Sequence, residues 1–446
     1  MLDNLTREAT AMTVDAFRTM STISRRMFLR TAAGASAGLA GILVTKTPPL
    51  YAATRTVTML QANHFVPASD ENLKKWAKEF EKANKCRVKI DFIAHRDTYV
   101  KIAKEQETRQ GHDIVFLFFS KPHLHNDDLE TLDFLEEFGK KLGGWYDLAR
   151  DAGQVDGRWV AMPWYYIPMP VTYREDIYQK HGLAIPTTWE GWQETGKTIK
   201  DTSGEKVGIA LSQTEDANIT LYALLWSYGA STVDKEHRVI INTPETRKAL
   251  DYMKNLYETC MSNEVLSWDD ASNNQAFMGG TYSWVHNAVS IYAVAQEKVP
   301  DIFKVTNHTL SPAGPAGQHG TAIPINYGIW KFAEEKTLAK EFLQFLLDPK
   351  RLEENFHATL TYNAPTFKAG DNFDWGRDPK TAMLKDYIKT AHMIGWPGPS
   401  DRKAEQARAE WIVPNMYTYY ATGQKSLDEA VTWAEGELQR IYASKA

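Results

Sequence analysis

The apolar run at residues 114–119 (IVFLFF) constrains the fold of this chain more than any other feature of its sequence. It follows two segments in which a short strand pattern, at 56–61 and 88–93, is succeeded by a helical pattern, at 69–83 and 99–110. A strand that is apolar on both faces is typical of the centre of a parallel sheet with helices on either side. The order βαβαβ therefore predicts a doubly wound α/β lobe, in which ligands bind beyond the carboxyl ends of the strands.

Two proline-rich segments divide the remaining chain. Residues 162–170 contain three prolines, which exclude a helix there and predict an extended connector. A second α/β region follows, with helical patterns near 189–200, 217–228 and 244–261. The Pro/Gly loop at 311–320 marks the point where we expect the chain to cross back.

The charge balance excludes one class of partner. The chain has a formal net charge of −5, and without residues 1–52, which carry a net charge of +3, it would be −8. A nucleic-acid-binding surface requires a basic stripe, so we expect no nucleic-acid partner. The two cysteines, Cys86 and Cys260, are too few for a disulfide framework. We expect two separate buried thiols, and a single bridge between them stays open.

The first fifty residues have the three-part build of an export signal. An Arg-Arg pair at 25–26 precedes an apolar segment rich in Ala and Gly at 31–44, and small residues follow at Ala52 and Ala53. The apolar segment, 14 residues long, is too short to span a bilayer comfortably. Adjacent arginines followed by Phe-Leu-Arg resemble a twin-arginine signal. We therefore predict a signal peptide at 1–53, cleavage near Ala52 or Ala53, and a periplasmic mature protein.

Short motifs occur in a set order along the rest of the chain. They are GRWVAMP at 157–163, TYREDI at 172–177, PTTWE at 186–190, FMGG at 277–280 and NYGIW at 326–330. In this order and spacing they resemble bacterial extracellular solute-binding proteins of family 1, the maltose-binding-protein-like receptors of ABC importers. The resemblance covers residues 55–440.

The resemblance implies an α/β fold of two doubly wound lobes joined by crossing strands, a type II-like periplasmic binding protein. Lobe 1 would combine residues 54–168 with 322–370, and lobe 2 would combine 171–311 with 371–446. The resemblance also implies a monomeric receptor without a cofactor or catalytic activity. Such a receptor binds a sugar or polyol between its closing lobes and delivers it to ABC transporter permease subunits at the inner membrane.

Aromatic rings beside neutral amide and hydroxyl groups suit the flat C–H faces and hydroxyl edges of a sugar. We expect Trp164 and Trp396, which lie among prolines and glycines, to stack on a neutral, hydroxyl-rich ligand. We expect polar contacts from Asn63 and Ser120, at predicted strand ends, and from Asn287. The full set of candidate ligand-binding residues is Asn63, His64, Ser120, Trp164, Tyr165, Tyr166, Trp284, Asn287, Tyr327 and Trp396.

Three other functions stay open at this point. A secreted glycoside hydrolase would need a carboxylate pair, and acids such as Asp269 and Asp270 are available, although nothing singles out a pair. A metal or ferric-ion receptor would use neighbouring tyrosines such as Tyr165 and Tyr166, or the His/Asp cluster at 123–128. A cofactor-bearing oxidoreductase is common twin-arginine cargo, but the sequence contains no dinucleotide, P-loop or haem motif.

Overall fold

The computed structural model describes residues 54–444, and the predicted signal peptide with its cleavage site lies outside these residues. Within the described part of the chain, no helix combines the length and the apolar character that crossing a membrane requires. Both cysteines are buried and free, so the prediction of two separate thiols is confirmed.

Strands and helices alternate along the described chain. The strands are β1 (Thr56–Ala62), β2 (Arg87–Ile93), β3 (Ile114–Phe118), β4 (Gln154–Val155), β5 (Arg158–Trp159), β6 (Met162–Ile167), β7 (Val171–Arg174), β8 (Lys206–Gly208), β9 (Tyr282–His286), β10 (Thr306–Thr309), β11 (Ala313–Gly314), β12 (Gly317–Gln318), β13 (Gly320–Thr321), β14 (Ile323–Ile329) and β15 (Ala391–His392). The α-helices are α1 (Pro67–Asn84), α2 (His95–Thr108), α3 (Lys121–His125), α4 (Phe134–Lys141), α5 (Asp147–Gly153), α6 (Glu175–Lys180), α7 (Trp189–Ser203), α8 (Glu215–Ser227), α9 (Pro244–Cys260), α10 (Ser272–Met278), α11 (Ser290–Lys298), α12 (Pro300–Val305), α13 (Lys336–Leu346), α14 (Pro349–Ala358), α15 (Arg402–Ala409), α16 (Ile412–Ala421) and α17 (Leu427–Ala443). Short 3-10 helices lie at Asn126–Asp128, Asn263–Leu266, Lys368–Asn372, Trp375–Arg377 and Ala382–Lys389.

The first sheet contains five strands in the order β2-β1-β3-β14-β6. Strands β1, β2 and β3 are parallel, whereas β14 runs antiparallel between β3 and β6. The central strand β3 is buried along its whole length, as its continuous apolar run predicts. The first sheet is therefore the expected α/β sheet, with one reversed strand that comes from late in the chain.

The proline-rich segment at 162–170 is extended, as predicted, but most of it belongs to a strand. Its first six residues form β6 at the edge of the first sheet, where a proline is tolerated because one side of the strand has no ladder to complete. The chain then passes directly into β7 of the second sheet. The Pro/Gly loop at 311–320 lies on the return path between β10 and β14, so both proline-rich segments connect the two sheets.

The second sheet contains four strands in the order β10-β7-β9-β8, of which only β8 and β9 are parallel neighbours. Helices α7, α8 and α9 begin within two residues of the predicted starts. We call the part of the fold built on the second sheet the second half. All residues of α8 are buried, so this helix lies inside the second half and not on its surface. The lobe boundaries that the resemblance implies stay a prediction.

Helix α1 begins two residues before the start that the sequence pattern predicts. Pro67 occupies its first position, where the missing N–H and the fixed φ of proline cost nothing. The Asp70 carboxylate accepts a hydrogen bond from the backbone N–H of His64 at 3.0 Å. This bond holds the loop between β1 and α1 against the helix and so positions the residues that follow β1.

Candidate functional site

A cavity lies between the two sheets, beyond the carboxyl ends of β1 and β3. It consists of two adjoining spaces, and both spaces are lined by Phe65, His95, Phe118, Ile167 and Tyr362. We call the two spaces together the inter-sheet cavity. The ends of parallel strands are where α/β proteins bind small ligands, so this cavity is the candidate binding site.

The two sides of the inter-sheet cavity differ in character. The side built on the first sheet, which we call the aromatic wall, consists of His64, Phe65, His95, Phe118 and Tyr165. The opposite side, which we call the carboxylate wall, consists of Glu215 and Asp216 at the start of α8 and Asp270 in the loop before α10.

Asp216 and Asp270 meet at the first turn of α8. The Asp270 Oδ1 atom accepts hydrogen bonds from the backbone N–H groups of Glu215 (2.8 Å) and Asp216 (3.3 Å). The Asp216 Oδ2 atom accepts a hydrogen bond from Asn273 Nδ2 at 2.5 Å. Burial and the charge of Asp270 raise the pKa of Asp216 well above its usual value. Burial and the charge of Glu215 raise the pKa of Asp270 to about 6.

The third carboxylate of this wall is paired. Although burial acts to raise the pKa of Glu215, the charge and hydrogen bond of Arg408 hold it below its usual value. The buried Arg408 guanidinium also donates to Glu405, at 3.0 Å from its Nε. Tyr99, from the helix after β2, donates its hydroxyl to Glu215 Oε1 at 2.8 Å. The helices on the two sides of the cavity are therefore in direct contact through a charged cluster.

The histidines of the aromatic wall are neutral. Burial lowers the pKa of His64 and the pKa of His95 to about 4. The His64 Nδ1 atom accepts the backbone N–H of Val66 (2.9 Å), so its Nε2–H donates to Asn363 Oδ1 at 2.9 Å. Both ring nitrogens of His95 are buried and have no hydrogen-bond partner among residues 54–444. His64 is therefore fixed by its neighbours, whereas His95 retains unused hydrogen-bonding capacity.

The structure brings four of the ten candidate residues to the inter-sheet cavity. Asn63 and His64 lie there because they follow β1 directly, and Tyr165 lies there because it is on the cavity-facing side of β6. Asn287 follows β9 and donates its side-chain amide to Asn274, while its Oδ1 accepts the N–H of Ala288 at 2.8 Å.

Trp164, Tyr166 and Tyr327 belong to the first sheet but do not line this cavity. The Trp164 ring, 1% exposed, packs against the rings of Tyr165 and Tyr327 at centroid distances of 5.0 and 5.1 Å. It lines a separate space on the side of α14. Tyr327 donates its hydroxyl to Gln61 Oε1 at 2.7 Å, and Tyr166 lies on the opposite face of β6 from Tyr165. Trp164 thus supports the aromatic wall from behind.

Three further candidates also lie away from the cavity lining. The Trp284 ring packs against Trp192 at a centroid distance of 5.3 Å in the core of the second half. The Ser120 hydroxyl is hydrogen-bonded to the hydroxyl of Ser400. Trp396 lines a different groove, where it stacks on His392 at a centroid distance of 4.2 Å.

The residues that suggested a metal site have other partners. His123 is hydrogen-bonded to the carbonyl of Asp151 at 2.7 Å, and His125 to Gln106 Oε1 at 2.8 Å. Tyr165 and Tyr166 point to opposite faces of their strand, so they do not share a site. Within residues 54–444 there is no group of three or more His, Cys, Asp and Glu side chains that could hold a metal ion.

The sequence interpretation missed most of the carboxylate wall and one tyrosine. The sequence marks Asp270 only as a possible catalytic acid, and it does not single out Asp216 or Tyr362. Asp216 and Asp270 are 54 residues apart in the chain, and only the folding of α8 against the loop before α10 brings them together. The one available signal was Thr214 before an apolar helix, because it marks a helix N-terminus, and in the structure its hydroxyl caps α8.

The amino-acid sequence of this chain is similar to that of one known protein family. The family model described as bacterial extracellular solute-binding protein matches residues 67–351. A probable ABC transporter-binding protein of Deinococcus radiodurans is 26% identical over 189 residues, which are 40% of this chain and 44% of that protein. The chain thus spans about half the length of the curated relatives it matches.

Solved structures of the same fold contain sugars or a polyol. Maltose-bound MalE3 of T. maritima has a TM-score of 0.75 at 22% identity, over 87% of this chain and 100% of that one. A solute-binding protein of Agrobacterium radiobacter in complex with ribitol has a TM-score of 0.72 at 18% identity, over 87% of this chain and 98% of that one. At these identities the likeness establishes the fold.

Proposed function

Because this chain belongs to the bacterial extracellular solute-binding proteins, we propose that it is the substrate-binding component of an ABC importer. It binds a sugar or polyol in the inter-sheet cavity without chemical turnover and delivers it to permease subunits at the inner membrane. We further propose that it works as a monomer in the periplasm, after export and removal of residues 1–53.

The observation that carries this proposal is the position of the inter-sheet cavity. It is lined by both halves of the fold, and segments that connect the two sheets, at Ile167–Met169 and Ile323, form its floor. A ligand held there contacts both halves at once, so its binding energy favours the state in which they are closed. We propose that the halves are lobe 1 (54–168 with 322–370) and lobe 2 (171–311 with 371–446).

The chemistry of the cavity supports a hydroxyl-rich ligand. Phe65 and Phe118 offer apolar faces, and the carboxylates, Asn287 and the neutral His95 offer hydrogen-bond groups. This combination of apolar faces with a few polar groups is what a sugar ring or a polyol requires. The ABC transporter name of the Deinococcus relative and the maltose and ribitol in the neighbouring structures agree with it.

The proposal is tested by a thermal-shift screen of the protein without residues 1–53 against sugars and polyols. A ligand that binds only the folded state increases the free energy of unfolding by mass action, by about 2.7 kcal/mol at a hundredfold excess over Kd. The melting temperature rises as a result. Small-angle scattering with the best ligand should show a smaller radius of gyration. An unchanged radius at saturation contradicts closure, and reaction products released from the ligand contradict a pure receptor.

A further inference from the structure

Each carboxylate of the pair Asp216 and Asp270 has one oxygen that the protein does not use. Asp270 accepts both of its hydrogen bonds at Oδ1, and Asp216 accepts its single one at Oδ2. Asp270 Oδ2 and Asp216 Oδ1 have no partner among residues 54–444, although both side chains line the inter-sheet cavity. A buried carboxylate without a partner is costly, so these two oxygens await hydrogen-bond donors from a ligand.

This pair has no cation partner within the described chain. No Lys, Arg or His nitrogen of residues 54–444 lies within 4.0 Å of either carboxylate. The buried guanidinium of Arg408 pairs with Glu215 and Glu405 and not with this pair. The Lys121 ammonium lies over the ring of Tyr99, 3.9 Å from its centroid. These groups form a cluster of two cations and two carboxylates, which leaves Asp216 and Asp270 without a cation of their own.

A third group points to the same ligand. Tyr362 is 4% exposed, lines both spaces of the inter-sheet cavity, and has no hydrogen-bond partner for its hydroxyl among the described residues. Burial, and then the charges of Asp216 and Asp270, raise the pKa of Tyr362, so it is a neutral phenol that lines the same space as both carboxylates. Its oxygen is therefore a third acceptor in the lining of this space.

We propose that the ligand of the inter-sheet cavity carries a protonated amino group, as an amino sugar or amino polyol does, and that this group binds between Asp216, Asp270 and Tyr362. This inference rests on the proposed function and narrows its ligand class. An ammonium group has three donors and no acceptor, which matches three acceptors and supplies the cation that the pair lacks. A neutral hydroxyl supplies one donor and no charge. A calcium ion would need six to eight oxygen ligands, more than this site offers.

The test compares matched ligands by isothermal titration calorimetry at pH 7. The pairs are D-glucosamine with D-glucose, D-galactosamine with D-galactose, and 1-amino-1-deoxyglucitol with glucitol, and N-acetylglucosamine serves as an uncharged analogue of the first amine. We expect the amine of at least one pair to bind at least tenfold more tightly than its neutral partner. Asp216→Asn should remove this preference, because the amide keeps the oxygen that Asn273 needs but loses the charge.

Asp301→Asn is the matched control, because Asp301 belongs to the second half, pairs with Lys304 at the surface and does not line the cavity. It should leave the amine preference within twofold of wild type, and circular dichroism checks that both variants are folded. If Asp216→Asn does not fold, Tyr362→Phe gives the same test and should weaken the amine more than its neutral partner.

The outcomes separate the two proposals. Neutral ligands that bind as tightly as their amines, or an amine preference that survives both Asp216→Asn and Tyr362→Phe, overturn the inference and leave the receptor function standing. If no compound of either class binds, the proposed function fails, and this inference fails with it.

Discussion

The two walls of the inter-sheet cavity are built in opposite ways. The aromatic wall consists of rings and neutral histidines that rest on a second layer of aromatic residues, among them Trp164 and Tyr327. The carboxylate wall consists of ionisable groups gathered at one helix N-terminus and only partly paired with Arg408. Packing therefore fixes the shape of the first wall, and electrostatics fixes the second. We expect the two walls to respond to different perturbations.

The largest effect is expected from breaking the carboxylate wall at its cation. Arg408→Met leaves Glu215 and Glu405 buried without their ion-pair partner, which should lower the free energy of unfolding by about 3–5 kcal/mol. Urea denaturation measures the change. Arg402→Met is the control, because Arg402 forms an exposed ion pair with Asp127 and its loss should cost less than about 1 kcal/mol. Equal losses in the two variants would contradict the role given to the cluster.

The aromatic wall should be nearly as sensitive to the loss of its support. Trp164→Ala removes a fully buried ring from behind Tyr165 and should lower the free energy of unfolding by about 3 kcal/mol. Because Trp164 does not line the cavity, Trp164→Phe should restore most of the stability and nearly wild-type ligand affinity. Chemical denaturation and calorimetry measure the two quantities. A stable Trp164→Ala variant that loses ligand binding would show instead that the indole contacts the ligand.

The pH dependence of stability should have opposite signs for the histidines of the aromatic wall and for the pair Asp216 and Asp270. His64 and His95 have a pKa of about 4 in the folded state and about 6.5 when unfolded, so the unfolded chain binds more protons and stability falls as pH drops through this window. The pKa of Asp270 is raised to about 6, and that of Asp216 is raised as well. For these two carboxyl groups the folded state binds more protons, and stability rises as pH drops.

Two variants measure these opposed contributions from urea midpoints at pH 7 and pH 5. Between pH 7 and pH 5 the wild-type protein loses free energy of unfolding at each buried neutral histidine. His95→Gln should reduce this loss by about 1–2 kcal/mol, because it removes a buried imidazole that must stay neutral. Asp216→Asn should increase the loss of unfolding free energy between pH 7 and pH 5, because it removes a carboxyl group that stabilises the folded state more in acid than at neutral pH. Identical profiles for the two variants would contradict the assignment.

The smallest effect is expected outside both walls. Trp396 stacks on His392 in a separate groove, so Trp396→Ala should change the affinity for a cavity ligand by less than twofold. Calorimetry with the ligand found in the screen measures this, and Phe118→Ala, on the aromatic wall itself, is the matched positive control. A loss of tenfold or more in Trp396→Ala would extend the binding site into that groove.

The sequence predicts the elements of this fold better than it predicts the site. The run at 114–119 identifies a strand because burial on both faces requires an apolar residue at every position, and the alternation at 88–93 identifies one because successive side chains point to opposite faces. Asn63 and His64 could be placed because the end of a parallel strand is itself a position in the sheet. The pattern does not specify which face of β6 lines the cavity, and that one-residue difference separates Tyr165 from Trp164. Asp216 and Asp270 meet only through tertiary packing, which local sequence does not encode.

The late position of β14 has a consequence for how the chain folds during synthesis. This strand lies between β3 and β6, yet about 150 residues separate it from β6 along the chain. Until residues 323–329 leave the ribosome, β3 and β6 have unpaired edges on either side of a gap one strand wide. Open strand edges invite pairing with other chains, and such long-range pairing is slow. Nascent chains shorter than this are therefore the form of the protein most prone to aggregation, and the form that most needs a chaperone.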